Sequence, residues 1–114
     1  MLSIQAASVS VWTGRGAAPL AMNDPTATEA LKVIKSRGLR IPEDMAIVGF
    51  SNDPIAAVIE TGITTVAQPV DEIGQHAARL LLKQLAASDD EHVGVETVVL
   101  PTHLVIRGST VRVR

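Results

Sequence analysis

Cysteine and tyrosine are both absent from the 114 residues, and aromatic side chains make up only 2%. Without cysteine there are no disulfides and no thiolate metal sites, which fits a reducing cytoplasm. With Trp12 and Phe50 as the aromatic complement, the chain lacks the rings on which single-stranded nucleic acid stacks. The formal net charge is -2 and no basic run occurs, so the cationic footprint of an autonomous DNA-binding domain is missing. No apolar run approaches the length that spans a membrane. Met1-Leu2-Ser3-Ile4-Gln5 carries neither the basic nor the apolar region of a secretory signal.

Catalytic sets are missing as well. His76, His92 and His103 are far apart and show no H-x-H or H-E-x-x-H spacing, so they read as ordinary surface histidines rather than metal ligands. Ser51 is followed by Asn52 and Asp53, not by the glycine of a G-x-S-x-G elbow, and no histidine base is local. The pair Gly14 and Gly16 has no third glycine and no strand-to-helix setting, so it reads as a turn rather than a phosphate loop. The acidic stretch from Ser88 to Gly94 lacks EF-hand ligand spacing and reads as a surface loop. No general acid and base pair stands out. An enzyme is not expected, and no metal or cofactor is implied.

What the chain does have is apolar material, at 46%, and enough length for one domain. Ala46-Ile47-Val48-Gly49-Phe50 is a short apolar run without alternation, the pattern of a strand buried on both faces in a parallel sheet. Upstream, Leu20-Ala21-Met22 is a second short run. Asn23-Asp24-Pro25 then gives a helix start, with Thr26 and Glu29 as an alternative capping box. Ala27, Ala30, Leu31 and Ile34 share a helical face, and Gly38 is placed for the C-terminal cap. After Pro54 comes a short helix over Ile55–Ile59, closed by Gly62. Ile63 to Ala67 reads as the next strand.

A longer helix starts near Pro69, with Ile73, Ala77, Leu80, Leu81 and Leu85 expected on its buried face and close packing expected at Gly74. Val95 to Leu100 and Leu104 to Arg107 are two further strand candidates, separated by Pro101. Ser8 to Trp12 alternates like a strand, Thr13 to Gly16 reads as a turn, and Thr110 to Arg114 reads as a tail. The order β-α-β-(α)-β-α-β-β is an α/β layered domain, a partial Rossmann-like sheet with helices on both faces.

Neutral polar groups gather at three strand ends: Asn23 with Asp24, Ser51 with Asn52 and Asp53, and Gln68. Parallel strands bring such tips to one edge, where open α/β sheets bind ligands. Amides and hydroxyls there offer donors and acceptors together, which suits a neutral polyhydroxylated ligand such as a sugar or nucleoside. Asx residues ahead of prolines also cap helices and turns, and that reading stands beside the first.

Ala21-Met22-Asn23-Asp24-Pro25-Thr26-Ala27, Gly38-Leu39-Arg40-Ile41-Pro42-Glu43-Asp44, Val48-Gly49-Phe50, Thr64-Thr65-Val66-Ala67-Gln68-Pro69, Leu100-Pro101 and Leu104-Val105-Ile106-Arg107-Gly108-Ser109-Thr110 together resemble, in order and spacing, the C-terminal third of the lactose-repressor (LacI/GalR) family of transcription regulators. The resemblance implies a periplasmic-binding-protein-like core in which two α/β lobes close on a small effector. It implies effector-contacting or cleft-facing positions for Asn23, Ser51 and Gln68, with Asp24 and Asn52 beside them. Where this sequence has Ser51 the family often has an aspartate, so a charge-assisted bond to ligand hydroxyls is exchanged for a neutral one.

By the same resemblance Gln68-Pro69 is a hinge crossing. The first helix and Ile55–Glu60 are similar to parts of a homodimer surface. The family's helix-turn-helix and the first half of its core have no counterpart here. The expected organisation is an unassigned segment over 1–17, a partial effector-binding core over 18–110 and a tail over 111–114. Such a chain is expected to reach DNA only through a domain outside these residues, to contact no membrane, and not to hold an effector tightly by itself. A fragment of a periplasmic sugar-binding protein of an ABC transporter is the alternative from the same superfold.

Overall fold

A computed structural model describes residues 18–87 and 94–110. The strand read at Ser8–Trp12, the turn at Thr13–Gly16, most of the acidic loop and the last four residues lie outside them. The chain divides into two compact units, one formed by Met1–Ala67 with His103–Arg114, the other by Gln68–Thr102.

In the first unit the apolar run around Val48 is central. Val48 bridges in parallel to Leu20 on one side and Thr64 on the other. Ala21 N–H donates to Val48 O at 2.8 Å and Gly49 N–H to Thr64 O at 2.8 Å. Past Thr64 the chain becomes β1 (Thr65–Ala67), which pairs antiparallel with β2 (His103–Val105) in the register Thr65↔Val105, Val66↔Leu104, Ala67↔His103. The expected parallel order is thus present at Leu20, Val48 and Thr64, and an antiparallel edge strand completes it. The strand expected over Leu104 to Arg107 begins one residue earlier and ends at Val105.

α1 (Asp24–Ser36) starts at the Asn-Asp-Pro signal, with Asn23 as N-cap. Its side-chain oxygen accepts from Thr26 N–H at 2.9 Å, so Asn23, not Thr26, supplies the cap. At the other end Gly38 N–H donates to Lys35 O at 2.9 Å and Leu39 N–H to Ile34 O at 3.3 Å. That is a Schellman pattern, and it needs the left-handed φ of 76° that Gly38 adopts. α2 (Pro54–Val58) is capped by Asp53, whose side chain accepts from Ile55 N–H. The two helices pack together and share one core of Ala21, Ala27, Leu31, Ile41, Ile47, Ala56 and Ile63. Ile47 and Ile63 are fully buried, each contributing about 1.5–3 kcal/mol over an exposed position.

Arg40 and Asp44 form an exposed bidentate pair between these elements, with Nε and Nη2 each donating at 2.9 Å. The Arg40 side chain, then its backbone N–H, hold the Asp44 carboxyl down from 3.8 to about 2. A depressed carboxyl stabilises the fold above its ordinary value, and that contribution fades as pH falls from about 3.8 through about 2. A carboxyl-detected NMR titration should place the Asp44 midpoint near 2 and, in Arg40→Gln, return it toward the ordinary aspartate range.

The second unit contains α3 (Val70–Ala86) and the stretch to Thr102. Here the structure departs from expectation. None of the α3 residues is buried, although Ile73, Ala77, Leu80, Leu81 and Leu85 were placed on a buried face: Leu81 is 55% and Leu85 72% exposed. A Cβ at Gly74 would meet nothing within 4 Å, so no close packing among the described residues explains that glycine. Val95 to Leu100 forms no strand, and Val95 is 100% exposed. The periodicity is real, but a helix face is buried only if a second layer covers it, and a strand forms only where a neighbour accepts its hydrogen bonds. Among the described residues, Gln68–Thr102 supplies no strand partner and only partial cover, where Val98, Val99 and Leu100 line a hollow with Ile73, Ala77 and Leu80.

Candidate functional site

The strand ends of the first unit converge on one buried carboxylate. Asp24 opens α1 and is 0% exposed. Its backbone N–H donates to Phe50 O at 3.1 Å, continuing the sheet past the end of the central strand. Its Oδ2 accepts from Asp53 N–H at 2.7 Å and its Oδ1 from the Thr65 hydroxyl at 2.8 Å. The Thr65 oxygen in turn accepts from Asn52 N–H at 3.2 Å. A Cβ at Gly49 would overlap Asp24 Oδ1, so glycine there is what lets the carboxylate lie against the strand. Asp24 is therefore committed on both oxygens inside the fold, and it ties Asn23 to the Ser51–Asp53 tip.

That tip has an unusual backbone. Ser51 has φ 96° and Asn52 φ 52°, a left-handed pair in which asparagine is tolerated and serine is strained. It is held by Ser51 N–H donating to Val66 O at 2.9 Å and by the Asn52–Thr65 bond. Strain of this kind survives only where the surroundings over-determine it. Ser51→Gly should accordingly raise folding stability by about 1 kcal/mol in urea unfolding while removing the hydroxyl.

Of the five residues singled out by sequence, Asn23 and Ser51 are half-buried, Asn52 is exposed, Asp24 is buried, and the first unit brings these four together. Gln68 begins the second unit. It is half-buried and its carbonyl accepts from Val70 N–H at 2.9 Å. It lines an open hollow of about 440 Å³ with Ile73, His76, Leu80 and Val98 among others, a mostly apolar surface unlike the polar tips of the first unit.

Sequence reasoning missed three residues. Thr65 relays between Asp24 and Asn52. Ser109, fully buried, accepts from Thr64 N–H at 2.9 Å and donates to Ile47 O at 2.6 Å. Arg107 donates from Nη2 to Asn52 Oδ1 at 2.9 Å and from Nη1 to Ile63 O at 3.0 Å. The available signal was the run Arg107-Gly108-Ser109-Thr110, prominent in the family resemblance but given no role. Among the described residues, no group of three or more His, Asp or Glu is placed to hold a metal ion. No described helix is long and apolar enough to cross a membrane.

A parallel arrangement with a crossover helix and polar groups at its carboxyl ends defines an α/β ligand-binding core. Comparison with known proteins makes this specific: the chain matches the periplasmic binding protein-like domain over residues 4–110 and belongs to that family. The match reaches into the first seventeen residues, where no motif was legible. Its homologues are LacI-family transcriptional regulators. One is the HTH-type transcriptional repressor CytR of Escherichia coli (strain K12), 41% identical over 88 residues, covering 77% of this chain and 25% of that protein. Among solved structures, a LacI family regulator from Enterococcus faecium with bound ribose superposes with a TM-score of 0.70 at 33% identity, covering 87% of this chain and 35% of that one. The lac repressor dimer bound to operator and the anti-inducer ONPF gives a TM-score of 0.69 at 28% identity, over 82% of this chain and 31% of that one. The chain thus spans between a quarter and about a third of the proteins it matches.

Proposed function

We propose that these residues are the effector-sensing and dimer-forming part of a LacI-type DNA-binding transcriptional regulator, with a sugar or nucleoside as effector. The observation that carries this is the strand-end cluster. Asn23, Ser51 and Asn52 are pinned at one sheet edge through Asp24 and Thr65, while the Ser51 hydroxyl and both asparagine NH₂ groups have no partner among the described residues. Neutral donors and acceptors on a rigid frame suit a polyhydroxylated ligand. Asn23, Ser51, Asn52 and Gln68 are assigned ligand contact, and Asp24 supports them from behind. Ribose in the Enterococcus faecium relative agrees with this class.

The same reading assigns the exposed apolar positions on and beside the packed helices, Val33 at 57% and Val58 at 75% exposure, to a homodimer surface. It assigns DNA contact to none of these residues, expects no reaction to be catalysed, and places the protein in the cytoplasm. The sugar-transporter alternative shares the fold, but the relatives named above are regulators. Upstream genomic sequence separates the two: a helix-turn-helix points to the regulator, a signal peptide to the transporter.

A thermal-shift panel of sugars and nucleosides on the full-length protein tests the reading. A cognate effector should raise the unfolding temperature in a saturable, concentration-dependent way, since it binds the folded state alone. Stabilisation by none of the sugars or nucleosides would count against it.

A further inference from the structure

Asn52 is exposed, left-handed in backbone, and next to Ser51, yet its side chain is not free to turn. Its Oδ1 is held at 2.9 Å by Arg107 Nη2. A guanidinium has donors only, so the atom facing it must be the amide oxygen and not the nitrogen. The Asn52 orientation therefore follows from chemistry and not from a choice between two look-alike atoms. Arg107 is itself fixed on three sides. Nη1 donates to Ile63 O at 3.0 Å, its backbone N–H donates to Thr64 Oγ1 at 2.8 Å, and its carbonyl accepts from the same hydroxyl at 3.0 Å. The grip on Asn52 thus comes from the sheet, through a residue four positions past the start of β2.

Asn23 is oriented by the same logic. Its Oδ1 accepts from Thr26 N–H, and a backbone N–H likewise requires an oxygen. At both asparagines the oxygen is engaged internally and the two amide hydrogens are left over. Of the two nearby aspartates, Asp24 is buried and committed on both oxygens, while Asp53 caps α2 through Oδ1 and keeps Oδ2 as a charged acceptor.

We propose that Arg107 is a positioning residue for the strand-end site: by holding the Asn52 oxygen it commits Asn52 to donating, so that this tip recognises oxygen acceptors of its ligand, such as hydroxyl, ring or carbonyl oxygens. The proposal rests on the ligand-binding reading above and adds to it the polarity of the contact and the residue that sets it. It also gives Ser51 a role, since its hydroxyl has no partner among the described residues and can both donate to and accept from a ligand hydroxyl.

The test uses the whole 114-residue chain, labelled with nitrogen-15. Arg107→Met keeps the apolar stem and removes the guanidinium; Arg107→Lys keeps the charge and loses the two-point grip. Both should displace the Asn52 side-chain NH₂ resonances and the Ser51 and Asn52 backbone amides, with the amides of α1 unchanged. Asn52 signals that stay in place in either folded variant overturn the proposal. Asn52→Asp keeps an acceptor for Arg107 and removes both donated hydrogens. It should leave the urea midpoint unchanged and weaken D-ribose binding, followed at millimolar ligand, by about tenfold. Undiminished ribose binding by Asn52→Asp would also overturn it. If the unsubstituted chain shows no saturable ribose effect, ribose is excluded as its ligand, and the Arg107 proposal is still decided by the Asn52 resonances.

Discussion

Asp24→Ala is expected to cost about 3 kcal/mol of folding stability or more, because it strips an acceptor from two buried or half-buried donors, each bond to a carboxylate contributing about 1.5–3 kcal/mol. The donors are Asp53 N–H at 2.7 Å and the Thr65 hydroxyl at 2.8 Å, and the site is fully enclosed, so water cannot replace what is lost. Asp24→Asn separates the contributions. Its oxygen still accepts from Asp53 N–H, and its NH₂ faces Thr65 Oγ1. The threonine hydrogen is then left without an acceptor, and the loss should be intermediate. Urea unfolding checks the ranking. Against a typical domain stability of about 5–15 kcal/mol, the alanine variant removes a large share, and the Ser51–Asn52 amides should be among the first to lose exchange protection.

Ser109→Ala is expected to cost about 2–4 kcal/mol, since each buried group left unpaired costs about 1–3 kcal/mol. The Ser109 hydroxyl joins two sheet segments, accepting from Thr64 N–H and donating to Ile47 O. The backbone bonds of the same residue, Ile47 N–H to Ser109 O at 3.1 Å and Ser109 N–H to Gly62 O at 3.0 Å, remain in the variant. The alanine protein should therefore keep the fold and lose stability, with Thr64 N–H exchanging faster. Full wild-type stability in Ser109→Ala would mean that the closing segment is held by its backbone alone.

Much of the first unit was legible because its signals are local. Asn-Asp-Pro started α1, Gly38 ended it, and the unbroken apolar run around Val48 marked a central strand. Asn23, Ser51 and Asn52 stand out as candidates because they are polar residues at strand ends set against such runs. Asp24 was read with them as a ligand contact. In the structure its carboxylate turns inward, which depends on Gly49 and Thr65, neither adjacent to it in sequence. Arg107 and Ser109 were invisible for the same reason: their partners in these bonds lie 44 to 62 positions away. In the second unit the α3 periodicity gave the helix correctly and its burial wrongly, because burial belongs to whatever covers a face and not to the face itself.

The most direct measurement is a residue-resolved NMR titration of the chain with a panel of sugars and nucleosides at millimolar concentration. The strand-end account predicts a saturable response to at least one of them, centred on the amides of Ser51 and Asn52 and the side-chain NH₂ groups of Asn23 and Asn52. A saturable response confined to the apolar hollow beside α3, or no response to any of them, would contradict it.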